Sequence, residues 1–129
     1  YIDLAISRGY DVEVDVWKGD MQMLFLGHDK PDYGVDRRFF EERIDKLWVH
    51  CKNLEAVSFF FNYNLNNEQK IHYFWHQTDD VTLTSKGFIW AYPGKQPIKD
   101  SIAVMPEYFD DDVSQCIGVC SDEIEKYKQ

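Results

Sequence analysis

Residues 11–17, Asp-Val-Glu-Val-Asp-Val-Trp, alternate acids with valines. Side chains two apart on a strand share a face, so Glu13 and Asp15 point one way while Val12, Val14 and Val16 pack the other way. A second apolar run, residues 21–26, then delivers His28 and Asp29 after Gly27. Two carboxylates aimed into one space, with an imidazole nearby, are a donor set for metal-assisted acid–base chemistry. The plainer reading is a half-exposed strand with a solvated acidic face. Against it, three valines mark the strand as central, and two acids buried together without a cation are costly.

The elements that must position these groups alternate in type. Ile2, Leu4, Ala5 and Ile6 read as the last turns of an amphipathic helix that stops at Gly9 and begins upstream of Tyr1. Strands are expected at about 11–17 and 21–27 around a Lys18-Gly19-Asp20 turn. A polar loop follows over 28–36, then a helix over 37–45 with Phe39, Phe40 and Ile44 at core spacing. Residues 46–52 read as a buried strand, and Asn53 as the N-cap of an amphipathic helix carrying Leu54, Val57, Phe60 and Phe61. Residues 62–69 read as a polar connector. Further apolar runs lie at 71–76, 87–92, 101–105 and 116–120, and a charged C-terminal helix closes the chain.

Strands alternating with helices indicate an α/β protein with mainly parallel strands, in which functional side chains gather at the carboxyl ends of strands. Glu13 and Asp15, His50 and Lys52, His76 and Gln77, Glu107, and Ser121 and Asp122 all lie at or just after the ends of apolar runs. That placement favours a barrel whose polar groups converge on one mouth. His72 and His76 share a face of a regular strand. A histidine ending an apolar run is commonly a hydrogen-bonded core or rim residue. Trp75 and Trp90 read as core or as mouth-lining residues, and Asp79-Asp80 as a turn or a helix cap.

With 129 residues, 44% hydrophobic and 16% aromatic content, the chain suits one domain, residues 1–129, with a packed interior. A formal charge of −9 argues against nucleic acid or an anionic membrane as partner. The Asp110-Asp111-Asp112 run reads as a solvated loop or helix start. Cys51, Cys116 and Cys120 form no disulfide framework, and structural thiols fit better than a zinc site. No apolar run approaches the roughly 20 residues of a membrane span. Free thiols and the lack of a signal peptide point to the cytoplasm. The oligomeric state is not legible.

The pattern Gly9-Tyr10-Asp11-Val12-Glu13-x-Asp15, the downstream Gly27-His28-Asp29, the lysine-bearing strand ending at Lys52 and the last strand ending Ser121-Asp122 resemble the glycerophosphodiester phosphodiesterases. These belong to the phosphatidylinositol-phosphodiesterase-like barrel superfamily. The resemblance is concentrated in residues 9–29, with support at 46–52 and 116–122. It implies a (β/α)8-type TIM barrel, here small or incomplete and lacking its first strand. It also implies one divalent cation, Mg²⁺ or Ca²⁺ with Mn²⁺ as a further option. By that resemblance Glu13 and Asp15 are metal ligands, His28 is the general acid and Lys52 steadies charge on the phosphoryl oxygens. The family's His-Arg pair and following Glu are absent from this sequence and are expected upstream of Tyr1.

A second departure concerns His50, which stands where the family usually has a carboxylate. As a third ligand it shifts preference away from Ca²⁺ toward softer ions. Six barrel strands are expected, at 12–17, 46–52, 71–76, 87–92, 101–105 and 116–120, with 21–27 as an arm outside the barrel. Trp75, His76 and Trp90 are candidate substrate contacts, an aromatic wall over the glycerol or head group. The expected activity is metal-dependent hydrolysis of a small glycerophosphodiester to glycerol 3-phosphate and an alcohol, or a cyclising variant in which a substrate hydroxyl attacks. The alternatives are a non-catalytic module kept for ligand or partner binding, and an unrelated metal hydrolase with a convergent Glu-x-Asp.

Overall fold

A computed structural model describes residues 1–128, which form two compact units. The first, Tyr1–Trp75, is built on a five-stranded mixed sheet. In chain order it contains helix α1 (Ile2–Ser7), strands β1 (Val12–Lys18), β2 (Leu24–Leu26) and β3 (Tyr33–Val35), helix α2 (Arg37–Glu41), strand β4 (Leu47–Cys51), helix α3 (Leu54–Asn66) and strand β5 (His72–Trp75). The sheet order is β3-β2-β1-β4-β5; β1, β4 and β5 run parallel, whereas β2 and β3 add antiparallel arms.

The alternation in β1 decides which face is the core. Val14 and Val16 are buried beside Leu47, Val49 and Cys51 of β4, under Ala56, Phe60 and Tyr63 of α3 and Phe40 of α2. Phe40 and Phe60 meet edge to face, ring centres 5.2 Å apart. Each such fully buried side chain contributes about 1.5–3 kcal/mol, so this face holds the unit together.

Asn53 performs two tasks at once. Its Oδ1 accepts from the Ala56 N–H at 3.0 Å, capping α3, and from the Lys18 N–H at 3.1 Å. Its Nδ2 donates to the Lys18 carbonyl at 2.9 Å. The start of α3 is thereby tied to the end of β1.

The second unit begins at His76 and has a four-stranded sheet, β6 (Val81–Leu83), β7 (Ile89–Ala91), β8 (Ser101–Val104) and β9 (Gly118–Cys120), in that order. β7, β8 and β9 are parallel and β6 is an antiparallel edge. Trp90, Ala91, Ile102 and Ala103 are buried. The Cys116 thiol donates to Gln96 Oε1 at 3.1 Å, and Gln96 Nε2 donates to the buried Ser101 hydroxyl at 3.0 Å. Cys116 therefore serves a local polar network. Glu107 accepts from the Ser121 and Tyr127 hydroxyls, fastening the short 3-10 turn Ile124–Tyr127.

The TIM-barrel expectation is corrected. A (β/α)8 barrel needs eight parallel strands, each followed by a helix, closed on themselves. Neither sheet here closes. The first ends in the edge strands β3 and β5, the second in β6 and β9. Among the described residues only three α-helices occur, and no α-helix joins β7 to β8 or β8 to β9. The molecule is a small α/β protein with two mixed sheets.

Element boundaries differ in instructive ways. The strand expected over 21–27 is only β2, because a turn closed by Gly19 N–H to Met23 carbonyl occupies its start. The supposed connector from residue 62 is the last turn of α3; Asn62, Asn66 and Asn67 donate their side-chain amides to carbonyls four residues back. The helix expected over 37–45 stops as α2, with turns carrying on to Lys46. The C-terminal helix shrinks to one 3-10 turn. No helix among the described residues is long and apolar enough to cross a membrane.

Replacing Asn53 by Ala should lower unfolding free energy by about 2 kcal/mol, since it removes an N-cap and the tether to Lys18. Urea denaturation measures this. A loss below about 0.5 kcal/mol contradicts the double role.

Candidate metal centre

The face of the first sheet opposite α3 carries the polar groups. Register sets them together: β1 and β4 pair in parallel with Val14 opposite Val49 and Asp15 opposite His50. The valine pair is held in the core, so the acid and the imidazole must project from the other face. A slip of one residue would put both into the apolar side.

The result is a three-residue cluster, Glu13, Asp15 and His50, with one ligand atom from each lying within 4.8 Å of the others. His50 Nδ1 is 3.1 Å from an Asp15 oxygen and 3.3 Å from a Glu13 oxygen. The side chains are 15%, 13% and 25% exposed for His50, Asp15 and Glu13, enclosed yet reachable. Phe74 stacks on the His50 ring at 5.0 Å and 16°. Donors bound side by side to one ion at about 2.1 Å stand about 3.0–3.4 Å apart. The observed separations fall in that range, and two carboxylates with one imidazole suit a divalent cation.

Electrostatics in the cluster are strained. Burial, together with Asp15 beside it, pushes the Glu13 carboxyl up to about 7, although His50 partly counters this. Burial acts on Asp15 too. Hydrogen bonds to His50 and to the Glu13 carboxyl, with the His50 and Lys52 charges, outweigh it and hold Asp15 below its usual value. One acid thus keeps its proton while the other stays ionised, as two close carboxylates must.

Lys52 follows β4, and its N–H donates to the Val16 carbonyl at 2.8 Å; its charge is felt at Asp15. Gly27 N–H donates to the Asp15 carbonyl at 3.2 Å, and the Gly27 carbonyl accepts from Trp17 Nε1 at 2.7 Å. A Cβ at Gly27 would stand 1.9 Å from the Lys30 carbonyl oxygen, so only glycine permits this turn. His28 comes next but lies outside the cluster: it is 80% exposed and its Nδ1 pairs with Asp29 at 2.9 Å.

The other expected contacts fall elsewhere. Trp75 pairs with Cys51 and packs on the hydrophobic core, the face away from His50. Trp90 is buried in the second sheet. His76 is buried, with Nδ1 2.9 Å from Asp79 and its ring against Tyr92. Phe74 flanks the site against His50, a neighbour that only the β4–β5 register reveals, while Trp17 shares the Asp15 face by strand alternation.

No protein-family model, curated protein or solved structure matches this chain.

Glu13 makes stability pH-dependent without added cation. Between pH 4.5 and about 7 the unfolded chain releases this proton while the folded chain keeps it, so stability falls as pH rises, by at most about 3 kcal/mol. Asp15 acts in a separate window, below its ordinary value of 3.8, where its contribution is lost as pH falls. Denaturant titrations from pH 4.5 to 8 should show a slope that Glu13→Gln flattens. Superimposable slopes contradict the assignment.

Proposed function

We propose that this protein hydrolyses phosphodiesters at the Glu13–Asp15–His50 centre with one divalent cation. The observation that carries the reading is the convergence of two carboxylates and an imidazole, with Lys52 two residues beyond His50 in the sequence. The glycerophosphodiester class is supported by the Glu13-x-Asp15, Gly27-His28-Asp29 and Lys52 resemblance.

Glu13, Asp15 and His50 would hold the cation, which would supply neutralisation of the phosphoryl oxygens and orientation of the phosphate. The two carboxylates would balance its charge, and the Lys52 ammonium would be left for a monoanionic diester. Water would add at phosphorus as the ester P–O bond breaks; His28, turned from Asp29 toward the site, would give a proton to the departing alcohol oxygen, while solvent takes up the proton of the attacking water and reprotonates the exposed imidazole. Gly27 sets where that imidazole starts, through its bond to the Asp15 carbonyl. The products are glycerol 3-phosphate and an alcohol.

A second reading, cation-dependent binding of a phosphodiester without turnover, is favoured by one observation: His28 is paired with Asp29 instead of the cluster.

Turnover of glycerophosphodiesters, with and without chelator, tests the proposal. Activity should vanish with EDTA, fall more than 100-fold in Asp15→Asn, and fall about 10²-fold in His28→Ala. Folded protein that binds cation and diester but turns over nothing supports the second reading instead.

A further inference from the structure

From the donor set we infer that His50 is a specificity-determining residue that makes this centre select first-row transition ions such as Zn²⁺ or Co²⁺ over Mg²⁺ and Ca²⁺. The inference rests on the proposed function and names the ion that it uses. Calcium takes six to eight oxygen donors, and magnesium is bound through oxygens and retained water. Here one of three protein donors is nitrogen, and imidazole suits Zn²⁺, Cu²⁺, Fe²⁺ and Ni²⁺. Three protein ligands with open positions are also the pattern of catalytic zinc.

His50 is not a bystander to an all-oxygen site. Its Nδ1 is the atom that faces both carboxylates, at 3.1 and 3.3 Å. Its ring is stacked on Phe74, itself 2% exposed, and its backbone sits in β4, paired on both sides by β1 and β5. Swinging the imidazole away to admit a hard ion means unstacking it and repacking that face.

The test uses the whole chain, stripped with chelator, in calorimetric competition among Zn²⁺, Co²⁺, Mg²⁺ and Ca²⁺. Zn²⁺ and Co²⁺ are expected to bind one per chain and more than tenfold tighter than Mg²⁺ or Ca²⁺, and Asp15→Asn should abolish that site. His50→Asp should erase the preference while keeping a cation bound. In wild-type protein, Zn²⁺ should shift the Nδ1 nitrogen resonance of His50, a readout that holds even if the variant fails to fold. A preference of tenfold or less overturns the inference and leaves hydrolysis standing, as does Zn²⁺ binding that ignores Asp15 or leaves His50 unmoved. No cation binding at all removes both the inference and the metal-dependent reading.

Discussion

The parallel pairing of β1 with β4 is the constraint on which the rest of this molecule depends. It is held by apolar contacts on one face, Val14 beside Val49 and Val16 beside Cys51, under the aromatic cover of Phe40 and Phe60. Because side chains alternate strictly along a strand, that packing dictates what the other face presents. Asp15 and His50 become neighbours because their flanking residues belong to the core. Asn53 secures the same pairing from its carboxyl end, joining the start of α3 to Lys18.

The apolar face thus supplies the free energy that lets the polar face be unfavourable. Glu13 retains its proton to about 7, a cost that an isolated surface strand does not carry. Two acids and an imidazole in partial enclosure are relieved when a cation balances them. Under the proposed function the same enclosure would strengthen what Lys52 and a bound ion do to a phosphodiester, since charges act further where water is thinned. The Gly27 turn, confined to glycine by the nearby Lys30 carbonyl, brings the His28 loop to the edge of this arrangement without joining it.

Much of the first unit was legible because its signals are local. The valine alternation placed Glu13 and Asp15 on one face, the run through residues 46–52 gave β4, and Asn53 announced α3. Architecture was not legible. Whether successive strands close into a barrel depends on edge pairings between residues far apart, and the three-residue strands β3 and β6 carry almost no periodic signal. Polar residues misled at the end of α3, where asparagine side chains satisfy the helix's own carbonyls. Trp75 and Phe74 show the same limit at the site. Both are aromatic, and only the register with Cys51 and His50 decides which faces the core and which supports the imidazole.

Whether Glu13, Asp15 and His50 bind one ion together is decided by anomalous diffraction from crystals soaked in Mn²⁺ or Zn²⁺. A single strong peak is expected about 2.0–2.3 Å from a Glu13 oxygen, an Asp15 oxygen and His50 Nδ1. A peak that leaves out His50, or none between these residues in a well-ordered crystal, would contradict joint binding.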